Sequence, residues 1–235
     1  SAALNFRVDN PFLTAQARQA LAANGYTTTF TLSRANRDLA DVTGYSKSKM
    51  YRGVFGLEGD FNVGERIFNW EASVNYGHNN FKDFNQGLNQ QKFINAINVA
   101  AVNGQIVCTT TPNVTGGTGG FVPVADPACV PLNLFGEGRA SQAARDYVID
   151  DISATSKIEQ LVVNANIGGS PFDIFSNPVA FNVGVEHREE SSAFIPDTFN
   201  RTGLGRSVAI LGTSGKYKLN EVFGEVLVPL ITADN

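Results

Sequence analysis

The sequence predicts an all-β fold of antiparallel strands, and three observations lead to this class. Apolar and polar residues alternate in several segments, and a period of two is typical of strands. These segments run for about ten residues or more, which is the length of a membrane-crossing strand rather than of an ordinary globular one. Short and long connections alternate between them, as in outer-membrane barrels. We therefore expect an antiparallel transmembrane β-barrel segment whose long extracellular loops contain short helices.

The clearest alternation lies in VAFNVGVEHREE (179–190), and the same pattern predicts five membrane strands. In this stretch Val179, Phe181, Val183 and Val185 fall on one side, and Glu186 and Arg188 fall on the other. The predicted strands lie at about 47–61, 67–78, 152–168, 178–190 and 216–230. The long loops lie at 1–46, 79–151 and 191–215, so that residues 1–235 form one partial barrel.

Helix signals recur inside the predicted loops. TAQARQALAANG begins with Thr14 as a candidate N-cap and stops at Gly25. NQQKFINAINVAAVNG predicts a helix that ends at Gly104, and SQAARDYVI predicts a third helix capped by Ser141. The threonine-rich stretch at 26–38 is expected to be a strand paired with residues 47–52.

Composition excludes several classes of protein. A net charge of −4 in 235 residues does not indicate the basic surface that binding of nucleic acid requires. The chain has no apolar run of about 18 residues, so no transmembrane helix is expected. A barrel strand would not produce such a run, because its alternating apolar and polar residues give a near-neutral mean hydropathy. Only two histidines are present, His78 and His187, and they are isolated from each other. No catalytic constellation, metal site or cofactor is therefore expected, and the chain is not predicted to be an enzyme.

The two cysteines, Cys108 and Cys129, enclose a segment rich in Gly, Pro and Thr. A disulfide would order this segment, and it would imply an oxidising compartment. Two unrelated thiols are the alternative. A zinc site is disfavoured because the cysteines are far apart and form no CxxC pair.

One set of polar residues shares the non-apolar side of the predicted strands. In a barrel this side would face the lumen, and in a soluble protein it would be a solvated surface. The candidate lumen-facing residues are Glu58, Asp60, Glu71, Asn75, Asn164, Glu186, Arg188, Glu221 and Glu225.

Five stretches, taken together, resemble the TonB-dependent receptors of bacterial outer membranes. They are DNPFLTAQARQAL (9–21), YRGVFGLEGDF with FNWEASVNYG (51–77), CVPLNLFGEGRAS (129–141), VAFNVGVEHREE (179–190) and NEVFGEVLVPL (220–230). The resemblance implies a 22-stranded barrel filled by an N-terminal plug and energised from the inner membrane. It implies active uptake of a scarce nutrient, such as a siderophore, an oligosaccharide or a vitamin complex.

This chain departs from the family pattern at both ends. It shows no plug, no TonB box and no closing strand with a terminal aromatic residue, which suggests an internal fragment of the barrel. The expected partners are outer-membrane lipid, the transported ligand and, through the absent N-terminal region, the TonB complex. A secreted, non-enzymatic β-rich binding module with a disulfide-closed loop is the alternative. The two hypotheses differ in one observable: the apolar strand faces form an exposed band in the barrel, whereas another layer covers them in the binding module.

Overall fold

The computed structural model describes residues 3–40, 43–205 and 207–230. Strands make up 54% of the described residues and helices 13%, and the sheets are antiparallel, so the predicted all-β class is confirmed. The described residues do not form a closed barrel. The predicted barrel of 1–235 and its loops at 1–46 and 191–215 include a few positions outside the described residues.

The chain divides into two compact units. The loop unit comprises Ser1–Ser46, Asp83–Ala154 and Pro196–Leu211, and the sheet unit comprises Lys47–Lys82, Thr155–Ile195 and Gly212–Asn235. The strands are β1 (Leu4–Arg7), β2 (Thr29–Leu32), β3 (Tyr45–Val63), β4 (Arg66–Leu88), β5 (Val99–Val102), β6 (Gln105–Cys108), β7 (Val114–Thr115), β8 (Ile149–Ile174), β9 (Asn177–Pro196) and β10 (Thr213–Leu227). The helices are α1 (Ala15–Ala23), α2 (Gln90–Ile97), α3 (Gln142–Val148) and α4 (Thr198–Thr202).

The largest sheet has five strands in the order β10-β9-β8-β4-β3. Gly64 and Glu65 alone connect β3 to β4, and Phe175 and Ser176 alone connect β8 to β9. Phe175 and Ser176 both have positive φ, as a type I′ hairpin turn requires. The connections from β4 to β8 and from β9 to β10 are much longer, so short and long connections alternate as the sequence predicts.

The strands of this sheet are longer than the alternation of apolar residues indicates. β4 runs to Leu88 rather than to 78, and β8 begins at Ile149 and ends at Ile174 rather than covering 152–168. β10 ends at Leu227 instead of 230. Polar pairs across strands, which a search for apolar periodicity does not detect, accompany the added length. In the sheet unit the Ser48 hydroxyl donates to Asn79 over 3.0 Å, and in the loop unit Ser46 donates to Asp83 over 2.7 Å.

A continuous hydrophobic core holds the loop unit together. α2 and α3 supply much of it, through Phe93, Ile94, Ile97, Tyr147 and Val148, with Phe6 and Leu132 among the other buried members. The predicted caps of two helices are confirmed: the side chain of Thr14 accepts from the Ala17 N–H, and that of Ser141 accepts from the Ala144 N–H. α4 lies in a stretch that is predicted to be a loop, and it is capped by Asp197. None of the described helices is long and apolar enough to cross a bilayer.

The strand predicted within 26–38 exists, but its predicted partner is wrong. β2 pairs with β1, placing Phe30 opposite Phe6, and β1 also pairs with β7. The Phe6 and Phe30 rings stack at 6.2 Å, and Phe135 packs against both of them. The pairing of residues 4–7 with 29–32 depends on burial in a shared core. Local alternation of apolar and polar residues does not predict such a pairing.

The helix predicted to reach Gly104 ends at Ile97, and Asn98 provides the reason. Its fully buried side chain donates to the Ile94 carbonyl over 2.7 Å and accepts from the Asn113 and Val114 N–H groups. These bonds satisfy backbone groups at the start of β7, so the chain leaves the helix at this point. Residues 99–108 then form the β5–β6 hairpin instead of more helix.

Cys108 and Cys129 form a disulfide with an S–S distance of 2.11 Å. The bridge joins the end of β6 to a segment whose neighbour Leu132 is in the core. It thereby closes the Gly/Pro-rich connection that contains few core residues of its own.

We predict that Cys108→Ser/Cys129→Ser lowers the free energy of opening of the loop unit by about 3 kcal/mol, since the uncrosslinked chain gains conformational entropy. Hydrogen exchange followed by mass spectrometry on peptides from 90–115 measures this loss of protection. Wild-type protein kept in reductant is the matched control and should behave like the variant. Equal protection in oxidised wild type and variant would contradict the prediction.

Candidate functional site

The sheet unit has a polar face and an apolar face, and side-chain contacts establish which residues belong to each. On the polar face Arg52 Nε donates to Asn75 Oδ1 over 3.0 Å, and Gln160 Nε2 donates to Glu190 Oε1 over 2.6 Å. Because side chains alternate along a strand, each contact assigns every second residue of both strands to one side. The register of β9 with β10 adds Glu221 opposite Glu186 on the same side.

All nine candidate residues lie on this polar face. They are Glu58 and Asp60 on β3, Glu71 and Asn75 on β4, Asn164 on β8, Glu186 and Arg188 on β9, and Glu221 and Glu225 on β10. The structure therefore places them on a common surface of one sheet.

The polar face is acidic and contains one well-defined ionic cluster. Arg188 Nη2 lies 2.7 Å from Glu186 Oε1, and Arg188 Nη1 lies 3.8 Å from Glu190. Glu190, Gln160 and Arg52 belong to this surface although they are absent from the predicted set, and the same alternation identifies them. Within the sheet unit the described strands place seven carboxylates and two arginines on this side, which gives a formal charge of −5.

The apolar face contains a central band without any charged side chain on any of the five strands; we call this the apolar band. Its apolar side chains are Tyr51, Phe55, Leu57 and Phe61 on β3, Phe68, Trp70, Ala72, Val74 and Tyr76 on β4, Leu161, Val163, Ala165 and Ile167 on β8, Phe181, Val183 and Val185 on β9, and Val222 and Val226 on β10. Many of them are exposed: Val222 by 78%, Val185 by 51% and Trp70 by 37%. Val179, the next residue on this side of β9, is buried.

Aromatic rings connect three strands within the apolar band. Phe61 stacks on Phe68 at 5.6 Å, and Phe68 reaches Phe181 at 6.1 Å although β8 lies between their strands. Gly169 on β8 makes this contact possible, because a Cβ there would lie 2.6 Å from Phe68. A glycine at this position therefore lets the rings pack over the strand.

Charged groups flank the apolar band at both ends. At the end near the two-residue turns, Arg66 forms a bidentate salt bridge with Asp173: Nη1 donates to Oδ1 over 2.8 Å, and Nη2 donates to Oδ2 over 2.7 Å. At the other end His78 Nδ1 lies 3.1 Å from Glu159 Oε1, and Lys216 Nζ lies 2.7 Å from Glu189. The apolar surface is thus limited to a zone of finite height. On β4 it extends from Phe68 to Tyr76, close to the roughly 9–11 residues that cross a bilayer as a strand.

The loop unit contains a polar cleft of about 680 Å³, which is lined by α3, the start of β8 and residues near Asp38. Its polar lining residues are Asp38, Gln86, Gln142, Arg145, Asp146, Asp150 and Asp151. Several of them bond to one another or to nearby groups, as Asp150 does to Lys92 at 2.5 Å. Partial burial disfavours the charge of Asp38, but the Gly138 N–H and the Arg34 guanidinium hold its pKa below the usual range.

A largely buried network joins α2 and α3 to the loop that the Cys108–Cys129 disulfide closes. The Tyr147 hydroxyl donates to Asp126 Oδ2 over 2.7 Å, and Asn95 Nδ2 donates to the Tyr147 oxygen over 3.3 Å. The bond from Tyr147, together with the Ala128 N–H, lowers the pKa of Asp126. Burial, reinforced by the neighbouring carboxylate, raises the pKa of Tyr147 to about 12.

The two histidines lie on the apolar face beyond the apolar band, each near a carboxylate. His187 Nε2 is 3.3 Å from Glu189, and its Nδ1 is 2.7 Å from Asn220. Within residues 3–40, 43–205 and 207–230, no group of three or more His, Cys, Asp or Glu side chains is arranged to hold a metal ion. Neither the models of known protein families nor the sequences of curated proteins match this chain.

We predict that the loop unit loses stability as the pH rises from about 10 towards 12, because its fold favours the neutral phenol of Tyr147. The contribution is fully present below pH ~10 and amounts to roughly 2 kcal/mol. Tyr147→Phe should remove this part of the pH dependence in denaturant unfolding of the detergent-solubilised chain. Tyr26→Phe, at an exposed position, is the control for loss of a hydroxyl. An unchanged alkaline slope in Tyr147→Phe would contradict the assignment.

Proposed function

We propose that this chain forms part of the wall and the surface loops of an outer-membrane transport barrel of the TonB-dependent receptor type. In this proposal the sheet unit supplies membrane strands, and the loop unit supplies the structure that captures a scarce nutrient outside the cell. The chain itself performs no catalytic step. Energy would come from the TonB complex, through a plug domain that lies elsewhere in the receptor.

The apolar band is the observation that supports this proposal most strongly. A charge-free zone on five successive strands, limited by charges at both ends, is the surface that a barrel presents to lipid. Within the described residues of the sheet unit, no second layer packs against it. A soluble protein would cover so large an apolar surface, since exposed patches of this kind promote association.

The polar face supports a role in transport rather than in anchoring alone. In a barrel it would line the lumen with the nine candidate residues and the Arg188 cluster. Its net negative charge would disfavour anionic ligands and attract cationic ones along the route. A siderophore, an oligosaccharide and a vitamin complex remain the candidate classes, because the principal contacts would lie in the loops and the plug.

Barrel closure requires more strands than these five. β3 and β10 each have a single neighbour in the sheet, and an unpaired strand edge is not tolerated in lipid. The proposal therefore requires that other strands pair with both edges in the membrane; in vesicles that contain this chain alone, the edge strands of further copies must pair with them.

The loop unit favours a second candidate, a secreted binding module. It has its own core, a disulfide and a polar cleft of about 680 Å³, and these features support a binding role that needs no membrane. On this alternative the apolar band would contact another protein layer instead of lipid.

The single tryptophan of the chain provides a direct test between the two candidates. Trp70 lies in the apolar band. After refolding into phosphatidylcholine vesicles, its fluorescence should be strongly quenched by lipids brominated on the acyl chains. In the matched control Trp70→Phe/Ser73→Trp, the tryptophan moves to the polar face and should be quenched much less.

Equal quenching of the two tryptophans would contradict the assignment of faces. A stable soluble monomer in which Trp70 is not quenched would overturn the barrel proposal and support the secreted module.

Arginine substitutions test the same faces energetically. We predict that Val183→Arg impairs folding into vesicles by about 2–4 kcal/mol, because a charge near the bilayer midplane loses its hydration. Asn182→Arg, on the neighbouring residue, should be much milder, since its side chain lies on the polar face beside Gly168. Folded fractions after titration with urea in the presence of vesicles give both values. Similar damage from the two variants would exclude a lipid-facing Val183.

A further inference from the structure

The lysines of this chain are concentrated on one side and at one end of the sheet. The chain has seven, and six of them lie on the apolar face just beyond the end of the apolar band that is remote from the two-residue turns. We call these six the lysine row: Lys47 and Lys49 on β3, Lys82 on β4, Lys157 on β8, and Lys216 and Lys218 on β10. The alternation along each strand assigns them to this face, as does the register that places Lys216 and Lys218 opposite Ser191 and Glu189.

The lysine row is accessible, and its positive charge is only partly neutralised. All six residues are exposed, Lys216 by 56% and Lys218 by 58% of the side chain. Glu189 pairs with Lys216 and Lys218, at 2.7 and 2.5 Å, and Glu159 lies beside His78. Among the described residues, Lys47, Lys49 and Lys157 have no ion-pair partner. This zone therefore keeps a positive charge even with both glutamates ionised.

The opposite end of the apolar band differs. Its flanking charges on this face are Arg66 and Asp173, which neutralise each other. Apart from Arg52 and Arg188, the polar face of the sheet unit has no cation among the described strand residues. A positive zone thus adjoins the band at one end only, on the side that would face lipid.

We propose that the lysine row binds the phosphate groups of anionic lipids in the leaflet next to that end of the band. This inference rests on the proposed membrane location of the apolar band. Lysine is suited to such a surface, because its aliphatic stem packs on apolar groups while the ammonium reaches the headgroup level. Basic side chains near an anionic lipid surface each strengthen binding about fivefold. The row would thereby fix the height of the sheet in the bilayer and select lipids at its perimeter.

The test compares two tryptophan reporters at opposite ends of the apolar band. The native Trp70 reports on lipid at the Arg66 end, and Trp70→Phe/Tyr51→Trp places the only tryptophan next to Lys49. Each protein is refolded into phosphatidylcholine vesicles that contain either brominated phosphatidylcholine or brominated phosphatidylglycerol. The ratio of quenching gives the relative affinity of anionic over neutral lipid at each end.

We expect a preference of about fivefold or more for the anionic lipid at position 51 and a ratio near one at Trp70. Lys47→Gln/Lys49→Gln in the position-51 reporter should bring its ratio close to one, whereas Lys47→Arg/Lys49→Arg should preserve it. Molar salt should weaken the preference by screening.

Two results would overturn the inference while leaving the membrane location intact: equal quenching by both lipids at position 51, or a preference that survives the glutamine substitutions. Absence of quenching by either lipid at both positions would instead overturn the proposed function and this inference together.

Discussion

The pairing of β9 with β10 shows the constraint on which the sheet depends. With Val222 opposite Val185 and Glu221 opposite Glu186, a shift of one residue would place valines among the carboxylates and glutamates in the apolar band. Backbone hydrogen bonding therefore fixes the chemistry of both faces at once. The same constraint applies at Gly169, where a side chain would separate Phe68 from Phe181 and break the aromatic contact across β8. The proposed membrane location of the sheet unit and the proposed role of the lysine row both depend on this separation of the two faces.

The loop unit is held together by a different device, a set of buried asparagine side chains. Asn98 satisfies backbone groups of both α2 and β7, and Asn95 accepts the Val124 N–H while donating to Tyr147. Asn89 caps α2 and donates to Asp150. An amide both donates and accepts, so one side chain can join segments that have no regular pairing between them. The long connection from β4 to β8 thus forms a compact unit with its own core rather than an extended loop.

Local signals in the sequence are sufficient for some parts of this structure and not for others. Alternation from Val179 to Val185 predicts both the strand and its apolar side, and the caps at Thr14 and Ser141 predict where two helices begin. The extension of β4 to Leu88 and the pairing of Leu4–Arg7 with Thr29–Leu32 depend on partners distant in sequence, which a periodic pattern does not identify. The nine candidate polar residues can be assigned to one face from the sequence, because side chains alternate along a strand with a period of two. Alternation does not predict the lysine row, because its members lie outside the apolar runs or at their margins. They come together only when the strands are aligned in the sheet.

The distribution of charge between the two sides of the sheet unit connects these observations. The polar face has an excess of carboxylates, whereas the cations of the apolar face lie outside its central band. A solvated two-sided sheet would have no physical reason to sort lysine from glutamate in this way, since water accommodates both on either side. A bilayer supplies such a reason, because its interior excludes charge and its anionic surface attracts basic side chains. The absence of charge from the apolar band and the position of the lysine row thus have a common physical explanation in the proposed membrane location. That explanation is independent of the proposed transport and of any ligand.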